Sequence, residues 1–375
     1  MAPNLQTPGN DIAKARPLRV LIVRVGAMGD VLHGLPAVAA LRQRMPDCFI
    51  GWAIEPGWRS LLESSPPHFN PGEAGIEMGR PIVDRVHLVA TRDWKKRPFS
   101  VGTLTNIAAL RRELRAEQYD VCVDIQGLIR SSVIGWMAGA KRYVGSNAPR
   151  ETLARWLYDE RVKVHAPHVI DKACELVGAG IGEVLRPLRP ALPVDAAAEA
   201  WCDGLLANLR VGAGGFVLLS PAAGWGAKTW PAERWQLLAQ QLSDQGAAVL
   251  VNAGGPTDRA VAAAATGDGP GRLVECGIAD LIALTRRANL VVGGDTGPVH
   301  LAAALGRPVV GLYGPTHPGR TGPYFPGARV KVLRHGSSTL HHGREQKTEA
   351  GLAQITEQEV FHAAMDSLRE VKQDG

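Results

Sequence analysis

Short aliphatic and β-branched runs alternate along this chain with segments whose apolar positions recur at helical spacing. Residues 18–24 read as a buried strand, and in 31–44 Val31, Leu35, Val38 and Leu41 fall on one helical face. Strand patterns return at 48–54, 83–89 and 119–125, and helical spacing at 104–114 and 131–137. In the second half the pattern predicts strands at 215–220, 247–252, 290–293 and 309–313, and helices at 232–245, 258–265 and 279–288. A last helical stretch, 356–371, carries Val360, Ala363, Ala364, Leu368 and Val371, and 336–350 reads as loop. Alternation in both halves predicts an α/β protein with two parallel, helix-covered sheets. Ligands of such sheets gather at the carboxyl ends of the strands.

Residues 186–193 hold three prolines and make the natural linker. A chain of 375 residues exceeds what one core usually supports. The expected layout is a disordered tail over 1–17, an N-terminal domain over 18–185, the linker over 186–193, a C-terminal domain over 194–355 and a C-terminal helix over 356–375.

Charge and cysteine usage narrow the setting. The net charge is +6, and residues 1–185 carry 24 Lys and Arg against 19 Asp and Glu, so five of the six charges lie there. That bias suits an anionic partner for the first half, although a merely solvated surface gives the same count. No basic motif interleaved with aromatics points to nucleic acid. No apolar stretch reaches the roughly 18 to 20 residues that span a bilayer, and residues 1–17 lack the apolar segment of a secretory signal. The five cysteines, Cys48, Cys122, Cys174, Cys202 and Cys276, are scattered and contain no CxxC, as expected in a reducing cytosol.

Three loops at predicted strand ends carry the chemistry. Gly26 to Asp30 joins the first strand to the first helix, where an aspartate is either an N-cap or an anion held by the helix dipole. Asp295-Thr296-Gly297-Pro298-Val299-His300 follows an apolar strand. Proline suits the first helical turn, and the free N–H groups of Thr296 and Gly297 make an anion seat. Between 220 and 231 a Gly/Ala-rich loop carries one lysine, Lys228, a point charge suited to a diphosphate.

These motifs, in this order, resemble the lipopolysaccharide heptosyltransferases of glycosyltransferase family 9. The resemblance rests on Met28-Gly29-Asp30-Val31-Leu32-His33, on the strand end from Tyr119 to Gly127, on Lys228 to Pro231, on Asp295 to Leu301 and on Tyr313 to Thr316. The first motif favours the type I branch over type II. The resemblance implies a GT-B fold, two Rossmann-like domains facing a cleft. It implies an inverting transfer of L-glycero-D-manno-heptose from ADP-L-glycero-β-D-manno-heptose to the Kdo of Kdo2-lipid A, with no cofactor and no bound catalytic metal. Asp30 falls at the general base, and Lys228, Asp295, Thr296, Gly297 and His300 at donor-binding positions. Ala223 and Gly224 stand where type I members often have two threonines, and Asp258 lies near a donor-contacting glutamate. Acceptor-side candidates are Met28, Gly29, His33, Asp124, Gln126, Arg97 and Arg130; for Asp124 and Gln126 a buried structural pair is the alternative. The implied location is the cytoplasmic face of the inner membrane, held peripherally. A nucleotide-sugar 2-epimerase or a non-enzymatic nucleotide-binding module shares parts of this layout.

Overall fold

The computed structural model describes residues 16–64, 81–212, 214–325, 327–340 and 347–374. The first domain contains β1 (Arg19–Val23), α1 (Met28–Arg44), β2 (Phe49–Ile54), β3 (Arg85–Leu88), α2 (Thr91–Lys96), α3 (Val101–Ala116), β4 (Val121–Asp124), α4 (Ile129–Ala138), β5 (Arg142–Ser146), β6 (Glu160–Val162) and α5 (Val169–Ile181). The second contains α6 (Ala196–Asn208), β7 (Phe216–Ser220), α7 (Ala232–Asp244), β8 (Ala248–Ala253), α8 (Pro256–Thr266), β9 (Arg272–Glu275), α9 (Ile278–Arg287), β10 (Leu290–Gly294), α10 (Gly297–Ala304), β11 (Val309–Tyr313), α11 (Pro318–Thr321), β12 (Val330–Arg334) and α12 (Glu357–Asp374).

Each domain has one six-stranded sheet of parallel pairs, ordered β3-β2-β1-β4-β5-β6 and β12-β11-β10-β7-β8-β9. Counted within its own domain, each sheet follows the doubly wound order, which reverses between β1 and β4 and between β7 and β10. At such a reversal the flanking helices leave to opposite faces and open a crevice beyond the strand ends. Central strands such as β7 and β10 are buried along their whole length, as sheets covered on both faces require.

The helix α1 is apolar nearly all round, because it covers its own sheet beside α5 and also meets α10 of the second domain. Residues 186–193 carry no helix or strand, and Leu188 N donates to Pro36 O within α1. Residues 1–15 of the expected tail lie outside the described residues, whereas Arg16 pairs with Asp120 at 2.7 Å. Residues 341–346 of the expected loop also lie outside them.

Candidate active site

The loop leaving β1 delivers Asp30 into the first turn of α1. Arg24, buried at the strand end, holds it: one guanidinium nitrogen lies 2.8 Å from Asp30 Oδ1, and Nε donates to the Asp30 carbonyl at 2.9 Å. Arg150 faces the other oxygen, Oδ2, at 3.6 Å, beyond hydrogen-bond reach. One carboxylate oxygen is therefore fixed, and the second keeps a lone pair open to a substrate hydroxyl.

Asp124 and Gln126, at and just after the end of β4, have their side chains tied into the fold. Asp124 is fully buried and accepts from the N–H groups of Gln126 and Gly127 and from the hydroxyls of Ser131 and Tyr158, at 2.8 to 3.0 Å. Burial pushes its carboxyl up, opposed by those donors. The chain turns there through Gly127, whose φ of +71° favours glycine. Gln126 accepts from Val25 N at 2.7 Å and donates to Gly26 O at 2.9 Å, tying down the loop that carries Asp30. Both residues border the cleft with their polar atoms already committed.

In the second domain Lys228 closes a short 3₁₀ turn after β7, and Asp295 follows β10. Lys228 Nζ lies 2.6 Å from Asp295 Oδ2, and His300 Nε2 lies 3.2 Å from Oδ1. Burial opposes ionisation of Asp295, but the His300 hydrogen bond and the Lys228 charge override it and hold the carboxyl well below the usual carboxylate range. Thr296 occupies the N-cap position of α10 without a side-chain capping bond, and Pro298 lies in the first turn. Ala223, Gly224 and Asp258 line the same cleft, and burial pushes the Asp258 carboxyl up. Three buried polar atoms of this wall, Ser220 Oγ, Trp225 Nε1 and Thr316 Oγ1, have no protein partner among the described residues.

The two halves meet in one cleft of about 1330 Å³, lined by Asp30, Arg92 and Arg150 from the first domain and by Lys228, Asp295 and Thr296 from the second. The N-termini of α1 and α10 both open onto it, so two positive helix ends converge on a shared space. Contact between them is close: a Cβ at Gly297 would lie 2.5 Å from Met28 Sδ, and one at Gly29 would lie 3.1 Å from the His300 ring.

Most of the residues singled out from sequence line this cleft, with two exceptions. Arg97 follows α2 and Arg130 lies in the first turn of α4; both were expected on the acceptor side, but they are exposed and lie outside the lining. His33 also borders the cleft, and its buried ring lies against His300 where α1 packs on α10. Arg24 and Arg150 were not legible as site residues. Arg24 looked like the last residue of a strand, and Arg150 follows β5, a strand too short and too polar at its start to read.

Two doubly wound domains closing on one cleft, with Asp30 on one wall and Lys228 beside a helix N-terminus on the other, make the architecture of the GT-B glycosyltransferases. The model of glycosyltransferase family 9 (heptosyltransferase) matches residues 107–352. Lipopolysaccharide heptosyltransferase 1 of Escherichia coli O18:K1:H7 (strain RS218 / NMEC) is 31% identical over 353 residues, 93% of this chain and 100% of that protein. The structure of E. coli heptosyltransferase WaaC with ADP superposes with a TM-score of 0.71 at 29% identity, covering 93% of this chain and 100% of that one. WaaC with ADP-2-deoxy-2-fluoro heptose gives 0.69 at 27%, covering 96% and 100%. The chain belongs to glycosyltransferase family 9.

Proposed function

We propose that this enzyme transfers L-glycero-D-manno-heptose from ADP-heptose to the Kdo of Kdo2-lipid A in lipopolysaccharide core synthesis. The observation that carries the reading is the common cleft: Asp30 enters from one domain, and the Lys228–Asp295 pair with the α10 N-terminus enters from the other. Similarity to the type I heptosyltransferases supports the choice of sugar and acceptor. Likeness to WaaC bound to ADP and to an ADP-heptose analogue supports the nucleotide.

The Kdo hydroxyl gives its proton to Asp30 Oδ2 as its oxygen attacks the anomeric carbon. The bond from that carbon to the β-phosphate oxygen breaks on the opposite face, which inverts the centre and releases ADP. Negative charge growing on the phosphate is met by Lys228 and by the N–H groups at Thr296 and Gly297. The partnerless Ser220, Trp225 and Thr316 groups give the donor further hydrogen bonds. The acceptor is lipid-anchored and the donor water-soluble, so the reading puts the enzyme peripherally at the cytoplasmic face of the inner membrane.

The test is incubation with ADP-heptose and Kdo2-lipid A, with the product weighed by mass spectrometry. A gain of one heptosyl unit supports the reading, and an unchanged acceptor mass overturns it.

A further inference from the structure

The first domain exposes an apolar patch that the transfer reaction does not use. Ile129, Val133 and Trp136 recur at i, i+4 and i+7 along α4 and so form one stripe, all of it exposed. Against α4 packs the turn Thr152–Leu157, which exposes Leu153 and Trp156 at 65% and 62%. Buried residues fill the opposite side of α4, among them Ile134 and Met137, so the helix is covered below and bare above. Single exposed hydrophobes are ordinary, but five of them, two being tryptophan, on adjoining elements are not.

The rim of this patch is cationic. Arg155 and Arg161 lie 5.0 and 5.2 Å from the Trp156 ring centroid, and Arg130 is exposed on α4 itself. Neighbouring α3 packs beside α4 and continues the theme. Its approach runs through Lys95, Lys96 and Arg97 to Phe99, which is 91% exposed. Tryptophan prefers the boundary between hydrocarbon and water, and arginine and lysine are drawn to anionic headgroups.

We propose that this α4-centred face docks on an anionic phospholipid surface, tryptophans inward. The patch adjoins the cleft by two connections: Gln126 and Gly127 line the cleft directly before α4, and Ala148 to Arg150 line it just before the 152–157 turn. Docking there brings the acceptor side of the cleft to the headgroup layer. The purpose of that placement rests on the proposed lipid-anchored acceptor, but the binding itself does not.

The experiment is co-sedimentation of the full chain, without substrate, with vesicles of phosphatidylethanolamine and phosphatidylglycerol or of phosphatidylcholine alone. The expected result is binding to the anionic vesicles only, weakened by salt. The double variant W136S/W156S is expected to lose at least about tenfold of that binding. Val184→Ser, at an exposed valine on the α5–linker connection, is the control and should bind like the parent. Thermal melting confirms that each variant is folded, and heptosyl transfer to a de-acylated, soluble Kdo acceptor is expected to survive in the double variant. Three results overturn the proposal: no preference for anionic vesicles, undiminished binding by the folded double variant, or a dimer in solution that the double variant abolishes. A chain that binds vesicles yet transfers no heptose overturns the proposed function alone.

Discussion

His33 in the first domain meets His300 in the second, with Nε2 of one 3.3 Å from Nδ1 of the other. Burial, then the neighbouring His300 and Arg24, pushes His33 well below the ordinary histidine value, so it stands neutral. Asp295 only accepts, so His300 presents Nε2–H to it, and a second hydrogen bond joins His300 Nδ1 to His33 Nε2. The line His33–His300–Asp295–Lys228 thus ties the helix that carries Asp30 to the proposed donor seat. His33→Ala is expected to lose about tenfold in kcat/KM, the worth of one buried hydrogen bond. His33→Gln, which keeps a donor, should restore part of it. Steady-state kinetics on both folded variants check this, and an unchanged His33→Ala enzyme contradicts it.

Lys228 pairs with Asp295 in the protein, and the proposed mechanism gives it a second partner, the donor phosphate. Lys228→Ala leaves the buried Asp295 carboxylate without its cation and should cost roughly 1–3 kcal/mol of stability. The double variant K228M/D295N removes both charges and should recover most of that loss. Neither variant should recover donor KM or turnover. Melting curves beside kinetics separate the two roles; full activity in the double variant removes Lys228 from the phosphate.

Gly297 is small because Met28 presses on it from the other domain. Gly297→Ala has to move the Met28 side chain from its Cβ outward. Misplacing reacting groups by a fraction of an ångström to an ångström is expensive, so turnover should fall about tenfold or more. Adding Met28→Ala restores the space and should return part of the rate. Kinetics of the single and double variants measure this coupling, and additive losses argue against a steric cause.

Three buried histidines, His33, His87 and His168, are held below their ordinary value of 6.5, with burial the largest cause in each. The folded chain refuses protons that the unfolded chain accepts once the pH drops below that value. Stability is therefore full above about pH 6.5 and declines as the pH falls toward the folded values. Around His33 lie His300, Arg24, Asp295 and His168; around His168 lie Asp171, Lys172 and His300. His168 also caps α5 and lies 3.1 Å from the Gly322 carbonyl in the second domain. His168→Asn should lower stability at neutral pH and flatten its decline on acidification. Melting temperatures across about pH 7.5 to 5 test this, and an unchanged slope assigns the acid loss elsewhere.

The alternation of strand and helix was legible because the central strands are continuous apolar runs, such as 290–293, and their helices keep a clean spacing. Elements of the periphery were not. β5 and β6 are short and polar at one end, β9 and β12 are only partly buried edge strands, and no pattern announced α5 or α6. Site residues that sit in glycine-marked loops, Asp30 and Asp295 among them, could be read because glycine and proline punctuate a strand-to-helix turn. Arg24 and Arg150 could not: Arg24 lies six residues before Asp30 but at the end of an apparent strand, and Arg150 reaches the same carboxylate only through the fold. For Asp124 the sequence left an acceptor-side role and a buried structural role open, and only the fold shows the four donors around its carboxylate.

The role of Asp30 is tested most directly by Asp30→Asn, assayed in single turnover with ADP-heptose and Kdo2-lipid A. General-base catalysis is typically worth 10²- to 10⁴-fold, so the rate is expected to fall by at least about a hundredfold while ADP binds as before. Near-normal transfer by that variant contradicts the assignment.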